Sequence, residues 1–183
     1  MVTSHWATYE PDRPRGSEPG SLEIRPAEPA DCADIAAITH ERDAVPVADA
    51  LERCTRDLEN TDHLLLVADV DGDIAGFARA ARWRRPPDAT PDIAPDGWYL
   101  FGVVIRDRWR RRGIGLELTR RRLAWIADRA DEAWYFANAR NRASIDLHAR
   151  LGFVEVTHDF AFPGPTFEGG VGVLCRVDLA PPP

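Results

Sequence analysis

The chain contains no lysine; all 23 of its basic residues are arginine. This usage, with the Ala, Asp and Pro content, matches the codon bias of a GC-rich genome. It also excludes a P-loop, in which a Gly-Lys-Ser/Thr lysine must reach the phosphates. Cysteine is scarce. Cys32, Cys54 and Cys175 are too few and too scattered for a disulfide framework or a tetrahedral zinc site, so free thiols in or near a packed core are expected, and no metal. No run approaches the ~20 apolar residues of a membrane span. The first twenty residues are polar and proline-rich, unlike a secretory signal, so the expected location is cytoplasmic, with no membrane partner.

What is present suits a globular protein: 183 residues, 44% of them hydrophobic and 29% charged. The net charge of −7 argues against general nucleic-acid binding. That charge is uneven. Arg106–Arg129 carries nine arginines against Asp107, Glu117 and Asp128, a local +6, which leaves −13 on the remainder. A basic island in an acidic chain points to a local anionic ligand, or to no more than a solvated helix face. RNA bound by the arginines is the remote alternative, and it predicts steep salt dependence.

Residues 1–21 read as a flexible tail and 22–180 as one domain. Ser21–Pro26 alternates like a short strand, and Asp31 can cap a helix over Cys32–Asp43. Pro46 suits the start of a second helix over Val47–Asn60, with Val47, Leu51, Cys54 and Leu58 as its apolar stripe. His63–Val70 and Ile74–Trp83 read as strands joined by the turn Asp71-Gly72-Asp73, and Arg84–Gly97 as a loop. Trp98–Ile105 is a continuous apolar run, as in a buried central strand. A helix over Gly113–Arg129 follows, with Leu116, Leu123, Ile126 and Ala127 as its core stripe. Then come a strand over Ala133–Ala139, a helix over Ser144–Leu151 ended by Gly152, and strands over Phe153–Phe160 and Val171–Leu179 around a Pro/Gly loop, Pro163–Gly170. The order implies a mixed α/β fold with a central strand–helix–strand crossover.

Between strand and helix lies Arg110-Arg111-Arg112-Gly113-Ile114-Gly115. A helix N-terminus exposes unpaired N–H groups and the positive end of the macrodipole, so cations there are unfavourable by ~0.3–1 kcal/mol each. A bound anion reverses that sign. Gly113 and Gly115 remove Cβ atoms where a phosphate can approach the backbone. A dinucleotide fingerprint needs a third glycine where Leu118 stands.

Val103-x-Ile105 followed by Arg110-x-x-Gly113-x-Gly115 resembles the signature of the GNAT acetyltransferase superfamily. Asn141, Ser144, Leu147, His148, Leu151, Gly152 and Phe153 resemble that family's second block, in the right order and spacing. The resemblance implies a single mixed, mostly antiparallel twisted sheet, with a central parallel strand pair splayed for CoA and about four flanking helices. It implies acetyl-CoA as co-substrate. Val103, Val104 and Ile105 would pair with the pantetheine arm. The backbone of Arg111, Arg112, Gly113, Ile114 and Gly115, helped by Arg110, would hold the diphosphate. Asn141 would bond the pantetheine, with Ser144 beside it. It implies a primary amine as acceptor, a small molecule or amino acid ahead of a protein N-terminus or lysine, recognised by about 35–60 and 158–172. Dimers are common among such proteins, which leaves a homodimer open.

Two departures bear on mechanism. His148 stands where the family commonly has the tyrosine that protonates the leaving thiolate. Ser144-Ile145-Asp146-Leu147-His148 resembles the variant of small-molecule acetyltransferases such as those that detoxify phosphinothricin. His148 is therefore the candidate general acid, or a tunnel-lining substitute; Tyr135 is the alternative acid, on a strand that could aim it elsewhere. Trp98–Ile105 lacks the carboxylate many relatives carry. Glu41 is the leading candidate base, with Asp96, Asp43 and His40 behind it, or a water chain serves instead. A non-catalytic acyl-CoA sensor fits the same departures.

Overall fold

The computed structural model describes residues 20–163, 167 and 171–179. The flexible-tail reading of 1–21, except for Gly20 and Ser21, and most of the 163–170 loop lie outside the described residues. Seven strands form one sheet in the order β1-β2-β3-β4-β5-β7-β6: β1 Leu22–Pro26, β2 His63–Val70, β3 Asp73–Trp83, β4 Gly97–Ile105, β5 Glu132–Asn138, β6 Val154–Thr157 and β7 Gly172–Asp178. Four α-helices accompany them: α1 Cys32–Asp43, α2 Val47–Glu59, α3 Ile114–Ala127 and α4 Arg142–Ala149. The expected element order holds, as does the mixed sheet. No helix among the described residues is long and apolar enough to cross a membrane.

The described residues divide into two compact units. The first holds 20–80 and 102–122. β1 runs antiparallel to β2, from Leu22↔Val70 to Pro26↔Leu66. The two-residue turn Asp71-Gly72 has φ of 53° and 86°, the left-handed pair that a tight hairpin of this hand requires. β2 is apolar on both faces and buries both. Leu65 and Val67 pack with Cys32, Ile35, Ile38 and Cys54, whereas Leu66, Ala68 and Val70 pack with Ile114 and Leu118 of α3.

Four details of the helices differ from the sequence reading. Cys32 and Cys54 are disulfide-bonded, Cα–Cα 5.7 Å, so the expectation of free thiols fails for them. Their separation of 22 residues hides the pairing, because the α1–α2 hairpin alone brings them together. Cys175 is free and buried, as expected. In α2 the buried residues are Ala50, Cys54 and Asp57, whereas Val47 and Leu51 are exposed. The disulfide turns Cys54 inward, and Asp57 accepts hydrogen bonds from His63 Nδ1 at 2.8 Å and Arg79 Nη1 at 2.9 Å. In α3 the stripe runs through Ile114, Leu118, Arg122 and Ile126, each four residues apart, and Ala127 is exposed. Arg122 is wholly buried, donating from Nη1 to the Arg79 carbonyl at 2.9 Å and from Nη2 to Thr119 Oγ1 at 2.9 Å. Asp31 does precede α1, but its carboxylate is taken by the Glu28 N–H (2.7 Å) and by Arg25 Nη1 and Nη2 (2.7 and 2.9 Å) rather than by the helix.

The second unit holds 81–101 and 123–179. β5 pairs antiparallel with β7 along its whole length, Glu132↔Asp178 to Asn138↔Gly172. β6 is only four residues long, shorter than the expected Phe153–Phe160, and its ladder with β7 shifts register between Glu155 and Thr157. The parallel ladder between β4 and β5 is two pairs long, Tyr99↔Trp134 and Leu100↔Tyr135. Two residues beyond its last pair, Gly102 adopts φ 37°. The parallel pairing of β4 with β5 is thus short.

Candidate active site

In the first unit, β4 ends at Ile105 and a 3-10 turn, Asp107–Trp109, leads to α3. The strand lies close to β3, because Gly76 has no Cβ; one built there would lie 2.3 Å from the Val104 carbonyl oxygen. Arg110 folds back, its Nε donating to the Ile105 carbonyl at 3.1 Å and its Nη1 meeting Asp107 at 2.8 Å. Arg111 has φ 64° and Gly113 φ 83°, so two of three consecutive residues are left-handed. Only glycine adopts that region without cost, and Arg111 bears it with a Cβ. A Cβ at Gly113 would meet nothing within 4 Å, so the backbone there faces open space. α3 starts at Ile114, with its first turn closed by Leu116 and Glu117 N–H donating to the Gly113 carbonyl at 3.0 and 3.1 Å. The predicted residues thus lie in sequence along the end of β4 (Val103–Ile105), a cationic turn (Arg110–Gly113) and the start of the 14-residue helix α3 (Ile114 and Gly115). Arg112 lies over the Trp109 ring, 5.1 Å from its centroid.

Glu41 belongs to the same unit. It is largely exposed near the end of α1, its Oε2 4.0 Å from Arg106 Nε, an ion-pair distance without a hydrogen bond. That Nε is buried and has no hydrogen-bond partner. The weaker base candidates are engaged. Asp43 is paired with Arg42, and His40 Nδ1–H donates to the Val45 carbonyl at 2.8 Å.

In the second unit, Asn141 is the N-cap of α4, its Oδ1 accepting from the Ser144 N–H at 3.2 Å. Only its side-chain NH₂ is then suited to donate to a ligand. His148 sits one turn past Ser144 and is 4% exposed. Its Nδ1 lies 2.8 Å from the Ser144 carbonyl oxygen and 3.4 Å from Ser144 Oγ. A carbonyl can only accept, so Nδ1 carries a proton there. The imidazole stacks flat on Tyr135, ring centroids 3.8 Å apart and planes at 9°, with Phe153 edge-on at 5.2 Å. Burial pushes the Tyr135 hydroxyl well above its ordinary value, and that hydroxyl bonds to Cys175. It is a poor acid and is aimed at β7. α4 thus gathers Asn141, Ser144 and His148, with Tyr135 as the support beneath the imidazole. Asp96, the remaining base candidate, belongs to this unit and is engaged by the Arg85 N–H.

Sequence reasoning missed Asp73, which accepts from Arg108 and Trp109 beside the turn. Nothing local distinguishes it from an ordinary turn aspartate; its partners lie 35 and 36 residues away. Among the described residues no group of three or more His, Cys, Asp or Glu is placed to hold a metal.

A family model described as "Acetyltransferase (GNAT) family" matches residues 31–153. No functionally curated protein matches by sequence. Among solved structures, a "putative acetyltransferase" of Salmonella typhimurium with its cofactor acetyl-CoA is 20% identical, with a TM-score of 0.66 over 87% of this chain and 94% of that one. The ribosomal-protein-S18-alanine N-acetyltransferase of Escherichia coli is 20% identical, TM-score 0.65, over 89% and 97%. A "putative phosphinothricin N-acetyltransferase" is 21% identical, TM-score 0.64, over 88% and 100%. These likenesses are of fold, whereas the family match covers about two thirds of the chain and includes the turn and α4. The chain belongs to the GNAT acetyltransferase family, and its chemistry is acetyl-CoA-dependent acetyl transfer.

Proposed function

We propose that the protein transfers the acetyl group of acetyl-CoA to a primary amine of a small molecule, by direct attack within a ternary complex. The observation that carries the donor half is the turn at Arg110–Gly115: two left-handed residues, an open backbone at Gly113 and a cluster of arginines at the start of α3. Such a site is unfavourable without an anion and favourable with one. The amides of Arg111–Gly115 and Arg110 hold the diphosphate, and the β4 main chain at Val103–Ile105 pairs with the pantetheine arm. The Asn141 side-chain NH₂ bonds to the same arm, beside Ser144.

The neutral amine attacks the thioester carbon, and the carbonyl oxygen gains charge that β4 N–H groups stabilise. Collapse breaks the C–S bond. His148, charged with a proton on both ring nitrogens, gives one to the departing thiolate and is left neutral, keeping its Nδ1–H on the Ser144 carbonyl. Glu41 is the proposed acceptor of the ammonium proton, held near Arg106. The Ser144–His148 stretch, similar to that of small-molecule acetyltransferases, favours a small amine over a polypeptide.

Thiol release from acetyl-CoA across a panel of amines, amino acids and N-terminal peptides tests this reading. Turnover of a small amine supports it. Tight acetyl-CoA binding without turnover of any acceptor replaces it with a sensor, and turnover of peptides alone with a protein acetyltransferase. Gly113→Val places a branched side chain where the diphosphate approaches and demands a left-handed Val. CoA affinity is expected to fall at least tenfold, and unchanged affinity removes the cradle.

A further inference from the structure

Four hydrogen-bond contacts from the segment that leads into the Arg110–Gly115 turn converge on one carboxylate outside it. Asp73 is the first residue of β3, directly after the tight turn at Asp71-Gly72, which the Gly72 N–H braces by donating to Asp69 Oδ1 at 2.8 Å. Its Oδ1 accepts from Arg106 Nη1 at 3.3 Å and Arg108 Nη2 at 2.8 Å. Its Oδ2 accepts from Arg108 Nη2 at 2.7 Å and the Trp109 indole N–H at 2.7 Å. The Arg108 guanidinium, with Trp109, holds the carboxyl below its ordinary value, so it stays anionic.

Trp109 is the link to the turn. Its ring packs on the cluster that includes Leu66, Ile114 and Leu118, and the Arg112 guanidinium rests over its face. The indole nitrogen can be tied only at one edge, and Asp73 ties it. Two residues further on, Arg111 is left-handed. A non-glycine residue persists in that region only where its surroundings over-determine it. A turn pinned at 106, 108 and 109 on one side and at Ile114 on the other is so constrained.

We infer that Asp73 is a positioning residue for acetyl-CoA: by anchoring Arg108 and Trp109 it presets the turn that offers Arg112 and the Arg111–Gly115 amides to the diphosphate. This inference rests on the cradle reading above. It differs from charge complementarity in sign. An aspartate beside arginines lowers the positive potential that attracts phosphates, so electrostatics alone makes its removal tighten CoA binding. Positioning makes its removal weaken it, because the cradle must then be ordered at the moment of binding.

Calorimetric titration of the full chain with CoA and with pantetheine, which lacks the diphosphate, tests this for Asp73→Asn, Asp73→Glu, Trp109→Phe and Gly113→Val. Asp73→Asn and Trp109→Phe are expected to weaken CoA about tenfold, the scale of one charge-assisted hydrogen bond. Pantetheine affinity should stay within about twofold, so the CoA preference falls. Asp73→Glu keeps the charge and an acceptor, and should recover most of the CoA affinity. Unchanged or tighter CoA binding by Asp73→Asn overturns the inference, as does an equal loss of CoA and pantetheine in a variant with normal unfolding temperature. If Gly113→Val weakens CoA while Asp73→Asn does not, the positioning role alone falls. If neither weakens CoA, the cradle itself falls.

Discussion

Reduction of the Cys32–Cys54 disulfide is the perturbation whose magnitude follows most directly from the structure. The bond joins the first residue of α1 to the middle of α2 and closes a loop of 22 residues. In the chain-entropy treatment, opening such a loop returns about 11 cal/mol/K to the unfolded ensemble, or about 3 kcal/mol at 25 °C. The native side offers little to offset it. Both residues are buried within the apolar cluster of Ile35, Ile38, Leu65 and Val67, and two thiols occupy nearly the volume of one disulfide, so no cavity opens. For a chain of this length, 3 kcal/mol corresponds to a drop in Tm of about 6–12 °C. In urea it corresponds to a midpoint lower by about 1–1.5 M, with a slope of 2–3 kcal/mol/M. The assay is urea unfolding with and without a phosphine reductant, alongside thiol titration of the unfolded chain. One thiol, Cys175, should react before reduction and three after it. Three reactive thiols without reductant, or superimposable unfolding curves, refute the reasoning.

Further perturbations probe the strands, the histidine and the acid limb. Gly76→Ala puts a Cβ 2.3 Å from the Val104 carbonyl oxygen, which is backbone and cannot swing aside. A loss of about 2–3 kcal/mol is expected in chemical denaturation, with acetyl-CoA binding weakened through β4. His148→Phe keeps a flat ring against Tyr135 but removes both nitrogens. It should lower kcat by about 100-fold or more with CoA Kd little changed, whereas equal losses of both assign His148 to the tunnel lining. Asp31 is held below its ordinary value of 3.8, first by Arg25 and also by the Glu28 N–H. Its folded-state value is depressed, so its stabilisation is complete above 3.8 and is lost as pH falls below that. Asp31→Asn should be less stable than the parent at pH 6, and the two should converge below pH 3.8; a constant gap across that range excludes the linkage.

Much of the proposed donor half was legible in the chain because its physics is local. Strand, turn and helix start occupy consecutive residues, and the left-handed turn at Gly113 is written in glycine. The Asn141–Phe153 block is equally local, since a cap, one helical turn and a stop lie within 13 residues. Local periodicity also placed every strand and helix to within a few residues, with β6 as the exception. Its ladder also carries a register shift against β7, a relation no neighbour in sequence reports.

Tertiary structure decided everything that depended on which face an element buries. Val47 and Leu51 carry the apolar spacing of a core stripe, yet the disulfide and the Asp57 contacts turn α2 so that both meet solvent. Arg122 reads as one of three consecutive surface arginines, yet lies wholly buried, because α3 faces the sheet along Ile114, Leu118, Arg122 and Ile126 and the Arg79 carbonyl and Thr119 hydroxyl take its donors. Asp73 reads as a turn former, yet it accepts hydrogen bonds from Arg106, Arg108 and Trp109 of the segment that leads into α3. In each case the deciding partner lies many residues away or on another element. Composition and spacing determine which backbone a segment adopts. They do not carry the long-range pairings that choose among its faces, and here those pairings assign an aspartate, an arginine and two cysteines their roles.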